Sequence, residues 1–449
     1  MHKTEFMRKT YIPLLLFAII SWTSINAQWT NVGSANFTGK YAGSTSVAFD
    51  ASGTPFVAFG DGNFAGKATV MKYSGGGWVL VGNAGFSAGS ATGLTLAFSH
   101  NVPLVAFSDA SNGSKATVMK LNSNNNTWAS LGTAGFSAGA AYNCTLAIDS
   151  TGFPYVAYTD AANGNKASVM AFLGSTWANV GGAGFTPAAA SYPALAMKGN
   201  TPYIVFSDGG SSITVMSYNG SSWGIEGNRG FGGNPQSVAI AVDHTGSLYV
   251  AAPIAGSGGG VYTYQLVGGT WTQLGTGATS SGTAQSPQLA IDANNVPYLV
   301  YQDVPNSNKA TVLKYVGATW QGVGAAGITP GKAYNISIAI GPGNAPYVAF
   351  SDYTDSNKVT LLTFGGTASV NDLAEIEISV YPNPATSILV VDCPTSISNI
   401  SIYDIEGRLV FQEKQPATNH YDISQFTTGM YLVKISTNAR DYTKKIVKQ

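Results

Sequence analysis

The sequence predicts an all-β chain whose larger part is a seven-bladed β-propeller, a ring of four-stranded blades, and three observations predict it. The first is a spacing: Trp29, Trp78, Trp128, Trp177, Trp223, Trp271 and Trp320 recur at intervals of 46 to 50 residues, the period of one supersecondary unit copied into a solenoid, propeller or array. The second is the content of each copy. Four short β-rich runs separated by turn signals fill it; in the third copy they fall at 145–148, 155–158, 167–172 and 177–180. The third is the lack of any helical apolar period sustained over about ten residues of the repeat, which excludes a helical solenoid.

Each element has its reason. The second run of a copy, such as YVAY at 155–158, is apolar throughout instead of alternating. Both its faces must be covered, as in a strand held between neighbouring blades. The turns at 149–154, 160–165 and 174–176 are rich in Asp, Asn, Gly and Ser, residues that start turns or accept left-handed backbone. First, second and third runs occur seven times, the last at 336–340, 346–350 and 359–364, but no tryptophan run follows Phe364. The missing fourth strand is predicted at the other end of the chain, at 28–32. The N-terminus would then complete the last blade and leave no unpaired edge between first and last.

Composition and charge bound the rest. Hydrophobic residues make up 45% of the 449, charged residues only 10%, and Gly fills 54 positions, so the chain is apolar and rich in turns. The apolar run at 11–20 follows Lys3, Arg8 and Lys9 and precedes Ile25, Asn26 and Ala27, the order of a secretory signal. It is too short to span a bilayer. Cleavage is expected between Ala27 and Gln28, leaving no transmembrane segment in the mature chain. Twelve basic and twelve acidic residues lie in 28–366, seven and nine in 367–449. With no basic stripe to collect phosphates, nucleic acid is not an expected partner. Cys144 and Cys393 both sit in apolar strand contexts and read as buried thiols without a disulfide.

The period stops near residue 366. The chain therefore divides into a signal peptide at 1–27, the propeller at 28–366 with 28–32 closing its last blade, a linker at 367–376, and a smaller all-β unit at 377–449. Strands of that unit are predicted at 378–381, 387–392, 400–404, 409–412, 430–436 and 442–447.

Two resemblances add to this reading. With runs such as ATVMK at 116–120 and GFPYVA at 152–157, the propeller copies resemble a broad group of bacterial surface proteins, a likeness nearly silent on activity because propellers host enzymes, lectins and scaffolds alike. The C-terminal unit carries VYPNPA at 380–385, IYDIEGRL at 402–409, TGMYLVK at 428–434 and KKIVK at 444–448. In order and spacing these resemble the type A C-terminal sorting domain of the type IX secretion system. The resemblance implies a small Ig-like β-sandwich, a Bacteroidetes-type cell, and recognition of 377–449 by the type IX machinery at the outer membrane. It also implies delivery to the cell surface or the extracellular space.

A catalytic site in a repeat ring should break the symmetry, because a reaction needs particular groups converging once. Most ionisable residues do not. Asp61, Asp109, Asp160, Asp208, Asp303 and Asp352 follow the second run; Lys67, Lys115, Lys166, Lys309 and Lys358 come six residues later, with Asn112, Asn163 and Asn306 between. These Asp read first as turn starters and the Asp and Lys as exposed ion pairs, worth about 0–1 kcal/mol each. The functional alternative is a polar subsite repeated around the ring, with Asp109, Asn112, Lys115, Asp160, Asn163 and Lys166 as ligand-binding candidates. Calcium is a poor fit, since one carboxylate and one amide per loop fall short of about six oxygens.

The connections from fourth to first strand repeat Phe37, Phe86, Phe136, Phe185 and Phe231, with Ile328 once. They should share a face with the Asp and Lys loops. Each Phe is either a plug between blades or the aromatic wall of a sugar pocket, which makes Phe86, Phe136 and Phe185 candidates. Glu226 and Arg229 are the one Glu and the one Arg between 28 and 366. They read as a local ion pair, and Glu226 as a weak catalytic candidate, since a glycosidase needs two carboxylates. His100 and His244 stand in separate turns with no triad around them, and no metal centre or cofactor is expected. The expected function is multivalent binding of an extracellular glycan or protein. The competing readings are a polysaccharide lyase or glycoside hydrolase working at the propeller mouth around Glu226, and a structural adhesion or display module.

Overall fold

In the computed structural model, residues 28–365, 379–393, 397–405, 407–416, 418–437 and 441–449 are described; the expected signal peptide and linker lie outside them. Turn signals cut 28–365 into strands that pair as seven four-stranded antiparallel sheets. Blades 1 to 6 occupy 42–80, 91–130, 141–179, 190–225, 239–273 and 284–322, and blade 7 occupies 333–364. Trp29–Asn31 adds the outer strand of blade 7, with Trp29 opposite Phe364 and Asn31 opposite Leu362. The ring is therefore closed by the N-terminal strand.

Within a blade the burial follows the sequence pattern. Pro154–Asp160, the second strand of blade 3, is buried at every position, because neighbouring blades cover both its faces. Leu104, Val118, Val156 and Tyr158 share one apolar cluster across blades 2 and 3, and each such side chain contributes about 2 kcal/mol by leaving water. The innermost strand is longer than predicted. In blade 3 it runs Ala141–Ile148, with its register broken between Tyr142 and Thr145, where Asn143 takes φ +53°. Such a bulge interrupts the period-two alternation, so a pattern search starts only after it. The same break recurs in blades 1, 2, 4, 6 and 7.

Blades are joined by tryptophan. The indole of Trp128 donates to the Val81 carbonyl of the preceding blade at 2.8 Å, and Trp177 to Leu131 at 2.7 Å. Trp223, Trp271, Trp29 and Trp78 reach back in the same way to Val180, Glu226, Val323 and Val32. On five of these six rings lies a phenylalanine from the connection between the two blades, Ile328 taking that place beside Trp29: Phe37 lies on Trp78, Phe86 on Trp128, Phe136 on Trp177 and Phe185 on Trp223, with centroids 4.0–4.3 Å apart and planes within 13°. Phe231 stacks on Trp271 at 4.9 Å. The seam between blades 5 and 6 departs from this. Trp320 Nε1 is buried without a partner. Thr279, whose N–H bonds Val261 as Phe86 N–H bonds Ala68, stands where the phenylalanine would be.

Residues 379–449 form a second all-β unit of two sheets. Ser379–Tyr381, Ile388–Asp392 and His420–Asp422 make one; Leu409–Lys414, Ile397–Asp404, Gly429–Thr437 and Asp441–Lys448 make the other. Leu389, Val391 and Tyr421 face Ile400, Ile402, Val433, Ile435 and Ile446 in one core. His420–Asp422 was not predicted, being too short and polar to show a period. Cys144 and Cys393 are not disulfide-bonded, and burial pushes the Cys144 thiol up to about 12.

Two stability measurements check the seams. Trp29→Ala removes an indole of the ring-closing strand that packs on Phe364 and bonds across the seam between blades 6 and 7, and should cost about 3 kcal/mol in a denaturant titration. Thr279→Phe should stabilise by about 1 kcal/mol through filling the bare face of Trp320; a loss of stability would show that this seam is full.

Candidate binding face

The loops after the second strands are organised by their aspartates. Asp160 caps the short 3-10 turn Ala161–Asn163: its carboxylate accepts from Ala162 N at 3.0 Å, Asn163 Nδ2 at 2.9 Å and Ser168 Oγ at 2.7 Å. Asp109 does the same with Ser111 N at 3.1 Å and Asn112 Nδ2 at 2.7 Å, and takes Gly89 N of the incoming connection at 3.2 Å. Both carboxylates are buried, which they tolerate because each is met by several donors. The expected ion pairs do not form. Among the described residues neither Lys115 nor Lys166 lies within ion-pair distance of a carboxylate, because each Asp is turned inward to the backbone while its Lys stays at the surface. Thus Asp109, Asn112, Asp160 and Asn163 are brought together, but as caps. Phe86, Phe136 and Phe185 are half-buried with one ring face held by a tryptophan, the plug reading and not an open aromatic wall.

The connections from fourth to first strand do share a face with these loops: a Cβ on Gly135 would lie 3.0 Å from Asn112 and one on Gly184 2.6 Å from Asn163. On that face the innermost strands begin and surround a central cavity of about 350 Å³. Here the structure shows a feature that neither repetition nor charge marks in the sequence. Tyr142, Tyr192 and Tyr334 stand at the bulges of blades 3, 4 and 7, 49%, 45% and 40% exposed, and Tyr41 and Tyr353 on the same face are 50% and 54% exposed. Tyr192 lines the cavity and takes φ +54°, a left-handed conformation uncommon for a bulky residue and one that collects at binding sites. The signal in the sequence is an aromatic residue at the start of the first strand where other copies carry Gly, Thr, Ser, Gln or Asn.

Glu226 lies elsewhere. It extends the outer strand Trp223–Ile225, its N–H bonding Val215, and its carboxylate takes the Ser217 hydroxyl. The expected pair with Arg229 is replaced: Arg229 Nε reaches Asp208 Oδ2 at 2.7 Å, and this hydrogen bond raises the guanidinium further above its ordinary value. Among the described residues Asp208 of blade 4 is the one repeated Asp in an ion pair. An enzyme centred on Glu226 at the propeller mouth is therefore corrected, since the outermost strand holds it away from the cavity-lining first strands. Among the described residues no group of three His, Cys, Asp or Glu is placed to hold a metal ion.

Residues 379–449 match the secretion system C-terminal sorting domain family. The chain is a type IX secretion cargo. It is delivered to the cell surface or the extracellular space, and among the described residues no helix is long and apolar enough to cross a membrane. No curated protein matches the chain. Among solved structures it is similar to a fungal alcohol oxidase of the AA5 family in complex with copper, at 11% identity and TM-score 0.50 over 93% of this chain and 100% of that one. It is also similar to a PL25 ulvan lyase, a polysaccharide lyase, at 11% identity and TM-score 0.50 over 74% and 94%. A fucose-binding lectin from Aleuria aurantia aligns at 17% identity and TM-score 0.43 over 66% and 99%. The first two show the propeller fold and nothing finer.

The capping role separates Asp from Lys by experiment. Asp160→Ala should destabilise the secreted cargo by about 2–3 kcal/mol, leaving buried donors unpaired, whereas Lys166→Ala should stay within about 0.5 kcal/mol. Equal losses in thermal denaturation would restore the ion pair.

Proposed function

We propose that the propeller of this cargo binds extracellular glycan on its tyrosine-bearing face. The single observation that carries the reading is the set of five tyrosines, Tyr41, Tyr142, Tyr192, Tyr334 and Tyr353, each 40–54% exposed on the side where the innermost strands begin. Exposed phenol rings offer an apolar face for sugar C–H groups and a hydroxyl for hydrogen bonding, with few rotors to immobilise. Their distribution over blades 1, 3, 4 and 7 supports several weak contacts on one rigid ring, which gain avidity against a polymer. In this reading the leader is removed between Ala27 and Gln28, 28–366 does the binding, 367–376 is a linker, and 377–449 addresses the export machinery. Phe86, Phe136 and Phe185 contribute by holding the blades that carry the tyrosines, and Lys115 and Lys166 remain as polar contacts at the rim.

A glycan array probed with the secreted protein tests the proposal. Tyr142→Ala with Tyr192→Ala should lower retention of the bound glycans about tenfold, as expected when about 1–2 kcal/mol of aromatic contact is lost, and leave the melting temperature unchanged. Retention that survives the double substitution sinks the tyrosine face. Reducing ends released from a bound polysaccharide and abolished by Glu226→Gln would restore an enzyme.

A further inference from the structure

We infer that the seam between blades 7 and 1 is a distinct subsite for an acidic sugar, one bearing a carboxylate or a sulfate; this rests on the glycan-binding reading above and deepens it. The seam is where the ring stops repeating on its binding face. In every blade the N–H just after the capping position bonds a carbonyl of the incoming connection: Ala110 to Ser90, Ala161 to Ala140, Gly209 to Ala189, Ala255 to Asn234 and Val304 to Thr283 in blades 2 to 6. All five acceptors are small or neutral. In blade 7 the same pair is Tyr353 and Lys332, and in blade 1 it is Gly62 and Tyr41, so equivalent positions turn aromatic and cationic only on either side of this seam.

The side chains are arranged as one patch. Lys332 Nζ lies 5.4 Å from the centroid of the Tyr353 ring, and Tyr334 meets Tyr353 edge to face at 5.8 Å and 74°. Across the seam Tyr41 lies over Gly62, where a Cβ would come within 2.6 Å of its ring; any other residue there would push the phenol away. The two halves are tied beneath the tyrosines, since Ser351 Oγ donates to the Ala42 carbonyl at 2.8 Å and Asn335 Nδ2 lies 3.5 Å from it. Lys40 and Lys332 are both exposed, and among the described residues neither is in an ion pair.

Every nearby carboxylate is already engaged. Asp61 is buried and takes Asn63 N and Thr69 Oγ1; Asp352 is buried and takes Thr354 N and Oγ1; Asp355 pairs with Lys358 at 3.1 Å. The Lys332 ammonium is thus left without a carboxylate beside exposed phenol rings, and Lys40, next to Tyr41 in the chain, is a second exposed cation. That combination suits a sugar ring with an anionic substituent: the rings take its apolar face, and a lysine takes its charge through a charge-assisted hydrogen bond. A neutral sugar would use only half of it.

The test measures affinity of the full secreted protein for polygalacturonate, dextran sulfate and unmodified dextran. The subsite predicts that at least one anionic polymer binds more tightly than dextran and that binding weakens as salt rises. Lys332→Gln should then cost about tenfold and Lys332→Arg much less, while Lys120→Gln, an exposed lysine of blade 2, should cost nothing. Preference for polygalacturonate assigns the carboxylate, and preference for dextran sulfate the sulfate. Equal binding of dextran, or indifference to Lys332→Gln, overturns the acidic subsite while leaving the tyrosine face standing. Binding of none of the three, with an empty glycan array, overturns both.

Discussion

The ring depends on a tryptophan reaching back to the blade before it. A single four-stranded sheet with short strands has two faces to bury and nothing of its own to bury them against. Trp128 answers this for blades 1 and 2 by donating its indole proton to Val81 while Phe86 lies flat on its ring. One side chain thus satisfies a carbonyl at the blade edge, covers the apolar gap and sets the spacing between sheets. Because the outer strand of each blade supplies the clasp, the last blade needs one too, and Trp29 brings it from the other end of the chain. Closure of the ring and cohesion of its blades are therefore the same interaction.

Seams built this way need not be equal. Between blades 5 and 6 the indole of Trp320 finds no acceptor and Thr279 replaces the stacked ring. Blade 5 is also where Ile254, which has no side-chain cap, takes the place of the capping Asp. Two supports, the clasp and the cap, are lost together on one blade, which marks it as less constrained than its neighbours. Two seams further round the ring, blades 7 and 1 are joined both by the N-terminal strand and by Ser351 and Asn335 reaching Ala42. The patch of Tyr41, Tyr334, Tyr353 and Lys332 sits on that seam, above the bonds that hold the two blades together.

Much of this was legible in the sequence. The tryptophan spacing gives the blade count, the run without alternation gives the sandwiched second strand, and the shortage of one outer strand gives the closure by 28–32. These are read easily because packing is repeated and errors in one copy are corrected by the other six. The innermost strands were read short because the residues at their bulges, such as Asn143 at φ +53°, shift the side-chain alternation by one. The ion pairs expected between Asp160 and Lys166 failed for a different reason. Asp160 and Lys166 are directly opposite in the hairpin, yet register places backbones and not side-chain ends, and three donors nearer to the carboxylate win it.

The tyrosine face does not stand out in the sequence because its residues do not repeat from blade to blade. In a ring of near-identical blades, what recurs is what every blade needs in order to stand: the Trp and Phe pair, the buried Asp cap, the apolar second strand. A ligand meets the ring from outside and needs none of these. Positions that recur in backbone geometry but vary in side chain, such as the carbonyl contributed by Ser90, Ala140, Ala189, Asn234, Thr283, Lys332 and Tyr41 in turn, are free of packing duty. They are where recognition chemistry can be added without cost to the fold, and the one stretch where they turn aromatic and basic together is the seam that the N-terminal strand closes.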